Sequence, residues 1–391
     1  MYDLIIIGGG PAGSAAGRLA GNKGLDTLLI EKEIFPRYKP CGGAFSERAM
    51  SYLDFDIPQY IHERNILGAR VHFRDNFIEK LKEYRIATLV TRSVLDDYLL
   101  SKAKETGIEI KMGKKAISFR EDREYVEVYT NREVYKARFV ILAEGAQGNL
   151  KNQIRKKDRK NEYGICMVAE IEEENKKIDR YIYNSIEIYF GIVNRGYGWI
   201  FPHEKYFSVG IGGLASYITN PRGAMIKFLN LHGFTGKYKL KGHLLPVGGI
   251  ERKIISSRVV LSGDAAGFVD SFYGEGIAYA IRSGQIAVEV ISRILNNGVG
   301  SLSDYASFCR SEFGENLKYS LILSRMMHRF PGIFFKIFTS CEEVLDTYLE
   351  VLASKRTYRS YIKWLIPRVP KYLLFKSLRQ NGPSKASKLS L

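Results

Sequence analysis

Three glycines near the start of the chain, Gly8, Gly10 and Gly13, have the G-x-G-x-x-G spacing of a loop that binds a dinucleotide pyrophosphate. In such a loop the first glycine makes the turn, the second lets the backbone approach the phosphates, and the third lets a helix pack on the preceding strand. Ala12 lies in the same loop and is expected to contact the ligand. Free N–H groups at the start of the following helix then face the negative charge. The spacing therefore predicts a phosphate-binding turn rather than a glycine-rich turn without a ligand.

The segments around this loop are those that a dinucleotide site needs. Residues 2–8 read as a strand buried on both faces, residues 14–23 favour a helix with small side chains, and residues 25–30 favour a second apolar strand. Together they predict a βαβ unit. Glu31 ends the second strand, where a carboxylate accepts hydrogen bonds from ribose hydroxyls, and Lys32 follows it. Both residues are predicted to contact the nucleotide.

A second glycine-rich turn lies far downstream, after the predicted buried strand Val259–Ser262. It contains Asp264 and resembles the second FAD fingerprint of the p-hydroxybenzoate hydroxylase-like flavoproteins, in which this aspartate binds the ribitol chain. Gly274, Gly276 and Ile277 open the next helix. The resemblance implies that the N-terminus of this helix faces the pyrimidine end of the flavin, where the helix dipole stabilises negative charge. It therefore implies that the nucleotide is FAD rather than NAD.

Two further positions resemble cofactor contacts of the same group of flavoproteins. Gly145 follows Glu144 after a buried strand, as in an Asp-Gly motif. Because glutamate replaces the usual aspartate, only the glycine is taken as a cofactor contact. Arg92 precedes a predicted amphipathic helix over residues 93–106, at a position that commonly faces the cofactor. A solvated arginine at the start of a helix is the alternative interpretation of Arg92.

Two more motifs narrow the resemblance: Lys39-Pro40-Cys41-Gly42-Gly43 and Tyr197-Gly198-Trp199-Ile200-Phe201-Pro202. Together with the FAD fingerprints, they resemble the geranylgeranyl reductase family, especially its archaeal digeranylgeranylglycerophospholipid reductases. The resemblance covers about residues 1–300. It implies an FAD-dependent oxidoreductase acting on CH–CH groups. Reduced FAD would deliver hydride to the C=C bonds of geranylgeranyl or other isoprenoid chains, as in archaeal membrane lipid precursors.

The aromatic motif is expected to form the wall of a substrate cavity. Tyr197, Trp199 and Phe201 lie in a β-rich region, and with Pro202 they are predicted to contact the substrate. Burial of an isoprenoid chain contributes about 0.8 kcal/mol for each CH₂ group, and an aromatic face stabilises a developing carbocation by about 1–2 kcal/mol. Tyr197 and Trp199 are therefore also predicted to take part in catalysis. The alternative interpretation is that Trp199 and Phe201 belong to the ordinary hydrophobic core beneath the sheet and contact no substrate.

Cys41 lies beside two glycines that allow the backbone to approach the flavin closely. Cys41, Gly42, Gly43 and Ala44 are therefore predicted to contact the cofactor. The neighbouring cations Lys39 and Arg37 favour a thiolate. Cys41 is thus a candidate catalytic residue and one of three candidate proton donors, with water and a tyrosine. A small buried filler is the commoner role of a free cysteine, and this alternative stays open.

Two rival functions fit the same scaffold. One is an FAD monooxygenase or halogenase that uses oxygen, and the other is a flavin electron carrier without its own organic substrate. The cysteine and aromatic motifs favour the reductase, and a large apolar cavity would argue against the carrier. The sequence contains no second convincing dinucleotide loop, since Gly210-Ile211-Gly212-Gly213 lacks the pattern. The external electron donor therefore stays open between NAD(P)H, ferredoxin and another donor.

Positive charge is concentrated at the C-terminal end of the chain. The formal net charge is +17, and the last 41 residues contain ten Lys and Arg residues and no acidic residue. Basic and aromatic side chains are mixed over residues 355–380, which favours an anionic membrane surface over nucleic acid. A helix pair packed on the core is the third interpretation. The isoprenoid substrate makes a membrane surface the expected partner, and nucleic acid is not expected.

The remaining features predict location and exclude some sites. No apolar run reaches the length of a membrane-spanning helix, and the chain begins with a strand rather than a signal peptide. The protein is therefore expected in the cytoplasm, peripherally on the membrane. The four cysteines form no C-x-x-C pair, so no metal site is expected.

The predicted fold class is α/β, with a Rossmann-type FAD-binding domain, a β-sheet substrate domain and a C-terminal helical region. Residues 114–139 are predicted to hold two or three antiparallel strands, residues 139–143 a further buried strand, and residues 277–295 a helix. The expected boundaries are 1–60, 85–160 and 255–300 for the FAD-binding domain, 61–84 and 161–254 for the substrate domain, and 301–391 for the helical, basic region.

Overall fold

The computed structural model describes residues 1–338 and 341–374, with side chains up to residue 372. In chain order, the strands are β1 (Tyr2–Ile7), β2 (Thr27–Ile30), β3 (Ala44–Ser46), β4 (Arg64–Ile66), β5 (Gly68–Phe73), β6 (Asn76–Leu81), β7 (Ala87–Leu89), β8 (Glu109–Lys111), β9 (Ala116–Glu121), β10 (Val126–Thr130), β11 (Val134–Leu142), β12 (Tyr163–Glu172), β13 (Ser185–Phe190), β14 (Gly196–Pro202), β15 (Tyr206–Leu214), β16 (Lys241–Pro246) and β17 (Val259–Leu261). The α-helices are α1 (Pro11–Asn22), α2 (Glu47–Ser51), α3 (Arg92–Lys104), α4 (Asn175–Tyr181), α5 (Pro221–Leu231), α6 (Ile277–Asn297), α7 (Ser303–Cys309), α8 (Glu315–Arg329), α9 (Pro331–Phe338), α10 (Glu342–Leu352), α11 (Tyr358–Leu365) and α12 (Val369–Leu374).

The first sheet carries the predicted βαβ unit. Its strand order is β8-β2-β1-β11-β10-β9, with β17 beside β11. The strands β1, β2, β8 and β17 all run parallel to their neighbours, as in a Rossmann-type sheet. The segment 139–143, predicted as a separate strand, is instead the end of β11. The start of β11 pairs antiparallel with β10 and its end pairs in parallel with β17, so one long strand serves both parts of the sheet.

A second, mostly antiparallel sheet lies elsewhere in the chain and has the order β16-β12-β15-β14-β13-β5-β6. The aromatic motif forms β14, which pairs antiparallel with β13 on one side and with β15 on the other. A small third sheet, β3-β7-β4, contains the strand that follows the cysteine motif. The two motifs that suggest the substrate therefore belong to different sheets.

Helix α6 crosses α1 at a point of close contact. Gly284 of α6 lies against the backbone of Ala12, and a side-chain carbon at Gly284 would overlap the Ala12 carbonyl. This approach places the first residue of α6, Ile277, near the glycine loop, and both Ile277 and Ala12 line the same cavity. The packing of α6 on α1 thus brings the first predicted FAD motif, the glycine loop, close to the last one, the start of α6.

The C-terminal helices α8 to α11 enclose an aromatic core. Tyr358 and Tyr361 of α11 are fully buried, and Leu365 is nearly so. These side chains belong to the basic, aromatic segment 355–380, and they pack inside the protein rather than facing a membrane. The α11 part of that segment therefore fits the packed-helix interpretation, whereas residues 375–380 lie outside the described part of the chain. Within that described part, no helix is both long and apolar enough to cross a bilayer.

Candidate active site

A cavity of about 1550 Å³ joins the glycine loop to the C-terminal helices. Residues from all three sheets and from α8 and α10 line it. Most of the residues predicted for cofactor and substrate lie on this one surface, namely Gly8, Gly10, Ala12, Glu31, Lys32, Cys41, Gly42, Gly43, Ala44, Arg92, Gly145, Tyr197, Trp199, Phe201, Asp264, Gly274, Gly276 and Ile277. Gly13 and Pro202 are the predicted residues that do not line it.

The glycine loop has the close backbone contacts of a phosphate-binding turn. Gly8 has a φ of +106°, and a side-chain carbon there would overlap the Ala143 carbonyl, so this turn requires glycine. Gly13 lies against the Gly8 carbonyl in the same way. Its role is to let α1 pack on β1, which explains why it lies outside the cavity. Gly10 faces the cavity and leaves room for a ligand.

Glu31 is held at the edge of this site. Its carboxylate accepts hydrogen bonds from the backbone N–H of Gly9 (2.6 Å) and of Glu33 (2.8 Å). The side chain is buried, with 5% of the residue exposed. Two backbone donors therefore orient the carboxylate at the end of β2, the position from which it can accept ribose hydroxyls.

Two arginines share one buried carboxylate beside the glycine loop. Arg92 contacts Asp96 through Nε (2.8 Å) and Nη2 (2.9 Å), and the Nη1 atom of Arg37 lies 3.0 Å from the same carboxylate. Asp96 is fully buried. Because two guanidinium groups face a single carboxylate, this corner of the cavity carries net positive charge, which suits a pyrophosphate.

Asp264 lines the same cavity and lies beside His243. Its Oδ2 is 3.6 Å from Nε2 of His243. Burial alone would raise the pKa of Asp264, but His243 and Lys39 hold it below its ordinary value. Burial lowers the pKa of Lys39 itself. Asp264 is therefore an ionised acceptor at neutral pH, as a ligand for sugar hydroxyls needs to be.

The aromatic wall follows from strand geometry. Tyr197, Trp199 and Phe201 alternate along β14, so their side chains point to the same face, and all three line the cavity. Pro202 points the other way and is buried. The Trp199 ring lies across Gly210, its partner on β15, where any side-chain carbon would overlap the indole. The glycines of β15 thus make the space that Trp199 occupies.

Polar atoms on this wall have different partners. The Tyr197 hydroxyl donates a hydrogen bond to the Tyr273 carbonyl (2.6 Å), and burial raises the pKa of Tyr197 above its ordinary range. The indole Nε1 of Trp199 is buried and has no hydrogen-bond partner among the described residues. A buried N–H donor without a partner destabilises the folded protein unless a ligand or a water molecule accepts its hydrogen bond.

The Cys41 loop faces this wall directly. A side-chain carbon at Gly42 would lie 2.8 Å from the Phe201 ring, so only glycine fits at that point. Gly43 has a φ of +82°, a conformation that favours glycine. Cys41 is half-buried and lines the cavity. The cation that contacts Cys41 is Arg92: burial would lower the pKa of Arg92, but Asp96 and Cys41 raise it.

Residues 1–211 match the family described as FAD binding domain. Menaquinone reductase of Mycobacterium tuberculosis is 30% identical over 74% of this chain and 76% of that protein. Digeranylgeranylglycerophospholipid reductase of Methanocaldococcus jannaschii is 27% identical over 96% of this chain and 97% of that protein. The chain belongs to the geranylgeranyl reductase family of FAD-binding proteins.

A solved structure has the same fold as this family member. A geranylgeranyl bacteriochlorophyll reductase-like protein of Thermoplasma acidophilum superposes with a TM-score of 0.77 at 22% identity, covering 96% of this chain and 98% of that chain. The predicted fold class is thereby confirmed, and the match to the FAD binding domain family confirms the FAD cofactor. The protein is an FAD-dependent oxidoreductase.

The nucleotide end of the cavity fits FAD. Gly10 lines the cavity, and a side-chain carbon there would meet only Arg37, at 3.6 Å, so the loop leaves room at this point. The Nη1 atom of Arg37 is buried without a well-formed hydrogen bond. The Gly8–Gly13 loop with Arg37 and Arg92 would hold the phosphates, Glu31 the ribose and Asp264 the ribitol chain. Glu144 is engaged elsewhere, because its carboxylate accepts the N–H groups that follow in residues 150–151.

The sequence interpretation missed several residues of this flavoprotein site. Asp96 belongs to the phosphate corner, and the spacing of Arg92 and Asp96 on α3, four residues apart, was the available signal. Arg37, predicted only as a cation beside Cys41, belongs to the same corner. Glu275, between two predicted glycines, is buried and accepts hydrogen bonds from Ser46 and Tyr273 while pairing with an arginine of α2. No sequence pattern indicates this network, because Glu275 lies 229 residues from Ser46 and 227 residues from the arginine of α2.

A histidine and a glutamate hold the Cys41 loop in place. His203 Nε2 lies 3.0 Å from the Gly42 carbonyl, and its Nδ1 lies 2.7 Å from Glu63 Oε2. Burial would raise the pKa of Glu63, but hydrogen bonds from His203 and Thr91 hold it below its ordinary value. The ring of His203 thus lies between two hydrogen-bond acceptors, the Glu63 carboxylate and the Gly42 carbonyl. Among the described residues, no cluster of His, Cys, Asp and Glu has the arrangement of a metal site.

Proposed function

We propose that this flavoprotein saturates C=C bonds in the isoprenoid chain of a lipid precursor, with geranylgeranyl compounds as the leading substrates. One observation carries the proposal: beyond Trp199 a large part of the cavity, which we call its apolar half, is lined by apolar side chains. These are Ala69, Val71, Ile186, Ile188, Phe190, Phe272, Leu345 and Leu349, with Leu321 and Met327 of α8 and Leu352 of α10. The relative named digeranylgeranylglycerophospholipid reductase supports the same substrate class.

The apolar half of the cavity suits a long hydrocarbon. Each CH₂ group that leaves water contributes about 0.8 kcal/mol, so several prenyl units together supply substantial binding energy without a polar contact. A flavin electron carrier has no need of such a volume. The aromatic residues Trp199 and Phe201 border the point where this apolar half meets the Cys41 loop, which is where a double bond would be held beside the cofactor site.

Bound FAD supplies the hydride equivalent for such a reduction. The residues of this chain orient the alkene and exclude water: Trp199 and Phe201 present ring faces, and Cys41 with Gly42 closes the cavity opposite them. An aromatic face stabilises positive charge that develops on the alkene by about 1–2 kcal/mol.

The alkene carbon that does not receive the hydride needs a proton, and of the three candidate donors one, a tyrosine, is disfavoured. The Tyr197 hydroxyl already donates its proton to a carbonyl, and burial raises its pKa, so it is a poor acid. Cys41 Sγ lies on the cavity surface and is the protein group that best fits this role. Water is the alternative donor.

The decisive experiment uses the FAD-loaded protein. It is photoreduced without oxygen and then mixed with geranylgeranyl diphosphate, geranylgeraniol or a geranylgeranylated phospholipid, and the flavin spectrum is followed. We expect reoxidation, with products that carry two additional hydrogens for each saturated bond in the mass spectrum. Rereduction with NAD(P)H or with reduced ferredoxin then identifies the electron donor.

A cavity-blocking variant separates this function from its rivals. Val71→Trp fills the apolar half of the cavity, because Val71 is buried in its wall, and is expected to retain FAD and photoreduction but to lose reoxidation by prenyl compounds. Val134→Trp, at an exposed position on β11, is the matched control. Hydroxylation or halogenation on admission of air, without reoxidation by any prenyl compound, would overturn the proposal in favour of an oxygen-using enzyme.

A further inference from the structure

The chain exposes large apolar side chains where α8 ends and α9 begins. Phe330, which separates the two helices, is 56% exposed, and Ile333 is 45% exposed. Phe330, Ile333 and Lys336 are three residues apart in the sequence, so they lie on one face of α9. The other face packs into the protein, where Phe334 and Phe338 are buried. Helix α9 is therefore anchored on one side and presents two apolar side chains on the other.

The same place borders an opening of the cavity. Arg325 and Arg329, on the last two turns of α8, line the cavity and are also exposed, so the cavity reaches the surface here. The guanidinium of Arg329 lies 5.5 Å from the centre of the Phe330 ring. Leu321, one turn before Arg325, continues the lining into the apolar half. We call the exposed residues at this opening the α8–α9 corner: Arg325, Arg329, Phe330, Ile333 and Lys336.

The chain around this corner carries positive charge only. Residues 316–341 contain four Lys and Arg residues and no Asp or Glu. The carboxylates that follow have partners of their own, since Glu342 Oε2 is 3.4 Å from Lys80 Nζ and Glu343 Oε2 accepts a hydrogen bond from the Tyr372 hydroxyl (2.8 Å). Exposed cations beside exposed aromatic and aliphatic side chains suit an anionic lipid surface, because the cations meet the headgroups while the apolar groups enter the interface.

We infer that the α8–α9 corner is a docking surface for an anionic lipid bilayer. Phe330 and Ile333 enter the interface, and the cations around them contact the headgroups. A second copy of this chain is a poorer occupant, because a two-fold symmetric contact would set the same cations against each other. The inference goes beyond the proposed function, since it concerns where the protein meets lipid and not the reaction. Because the cavity opens at this corner, a lipid chain can pass from the bilayer into the apolar half without crossing water.

The first test is sedimentation of the full-length, FAD-loaded protein with vesicles of phosphatidylcholine, with and without phosphatidylglycerol. The variant combines Phe330→Ser and Ile333→Ser. The matched control combines Phe77→Ser and Ile226→Ser, the same residue types exposed to nearly the same fraction, 58% and 44%, outside the cavity. We expect the variant to bind anionic vesicles at least about tenfold more weakly than wild type and the control. This difference should persist at high salt, where the attraction of the basic tail is screened.

A second test locates the lipid contact without removing apolar surface. Phe330→Trp places an indole at the corner, and Phe77→Trp places one at an equally exposed position on β6. Vesicles that contain brominated phospholipid quench tryptophan only where the ring enters the bilayer. Relative to wild type, we expect additional quenching for Phe330→Trp and none for Phe77→Trp.

The outcomes distinguish the docking surface from the proposed function. Binding of the Phe330→Ser and Ile333→Ser variant to anionic vesicles as tight as that of wild type would overturn the docking surface, as would equal quenching of the two introduced tryptophans. Loss of self-association in that variant, with vesicle binding unchanged, would assign the corner to a contact between copies instead. Weakened vesicle binding, with no prenyl compound able to reoxidise the reduced flavin, would uphold the docking surface and refute the reductase.

Discussion

Replacing Asp270 by Asn is expected to remove a pH dependence from the stability of this protein. Asp270 is 1% exposed, and its Oδ1 accepts the N–H groups of Phe272 (2.7 Å) and Tyr273 (3.1 Å). Its Oδ2 makes no well-formed hydrogen bond. Burial raises the pKa of Asp270 to about 7, and the backbone donors and Tyr358 oppose this only in part. Asparagine preserves the acceptor at Oδ1 and removes the ionisation.

The magnitude follows from the difference between the folded and unfolded pKa. An aspartate in an unfolded chain has a pKa of about 3.9. Because the folded pKa is higher, the native state binds the proton more tightly, so this contribution to stability is present at low pH and is lost as the pH rises through about 7. One pKa unit corresponds to about 1.36 kcal/mol, which makes the loss between pH 5 and pH 8 about 2.6 kcal/mol.

The assay is urea unfolding of the FAD-saturated protein at pH 5, 6, 7 and 8, at constant ionic strength, followed by far-UV circular dichroism. The free energy of unfolding of Asp270→Asn minus that of wild type should rise by about 2.6 kcal/mol over this range. The matched control is Asp75→Asn, in the exposed turn between β5 and β6, and its difference from wild type should change little.

The absolute stability of Asp270→Asn is not the quantity that decides the outcome. The new amide N–H₂ is buried where Oδ2 lacked a good partner, which costs about 1–3 kcal/mol at every pH. Only the change with pH reports the ionisation. A difference between variant and wild type that stays constant within about 0.5 kcal/mol from pH 5 to pH 8 would refute the reasoning, because Asp270 would then titrate alike in both states.

Three further predictions concern the cavity and the tail. Gly210→Ala should displace the Trp199 ring and destabilise the protein by about 1–3 kcal/mol. Thermal unfolding measures the stability, and indole fluorescence reports the ring. Gly242→Ala, in which no atom lies closer than 3.7 Å to the added carbon, should change neither the stability nor the fluorescence. His203→Gln should lower kcat about fivefold with KM nearly constant, because it loses one hydrogen bond that positions the Cys41 loop; a change in KM alone would contradict this. A chain lacking residues 375–391, which hold four basic residues, should bind anionic liposomes at least about tenfold more weakly at low salt, and equal sedimentation would refute a membrane role for the tail.

Local patterns were sufficient for the nucleotide end of the site. Gly8, Gly10 and Gly13 lie within one turn of chain between a strand and a helix, so their spacing alone indicates the phosphate loop, although the carbonyl that packs against Gly8 belongs to the distant Ala143. Asp264 follows a buried strand and Ile277 opens a helix. Both positions are recognised from the residues next to them in the chain. The alternation of Tyr197 and Trp199 along a strand likewise determined that they share a face, since successive side chains of a strand point to opposite sides.

Tertiary structure alone decided which distant residues meet. Arg37 joins Asp96 across 59 positions, and His203 reaches the Gly42 carbonyl across 161. The cavity brings Arg195 together with side chains of α8, a helix that begins at Glu315 and contains none of the predicted motifs. Composition predicted an exposed, basic C-terminal surface. In the described helix α11, packing instead buries Tyr358 and Tyr361. Removing their large apolar surface from water lowers the free energy of the folded protein. The cofactor and its phosphate loop could be predicted from the chain alone, because each motif that indicates them lies within a short stretch of residues. Only the folded chain decided the depth of the cavity and which elements line it, because both depend on packing between elements far apart in sequence.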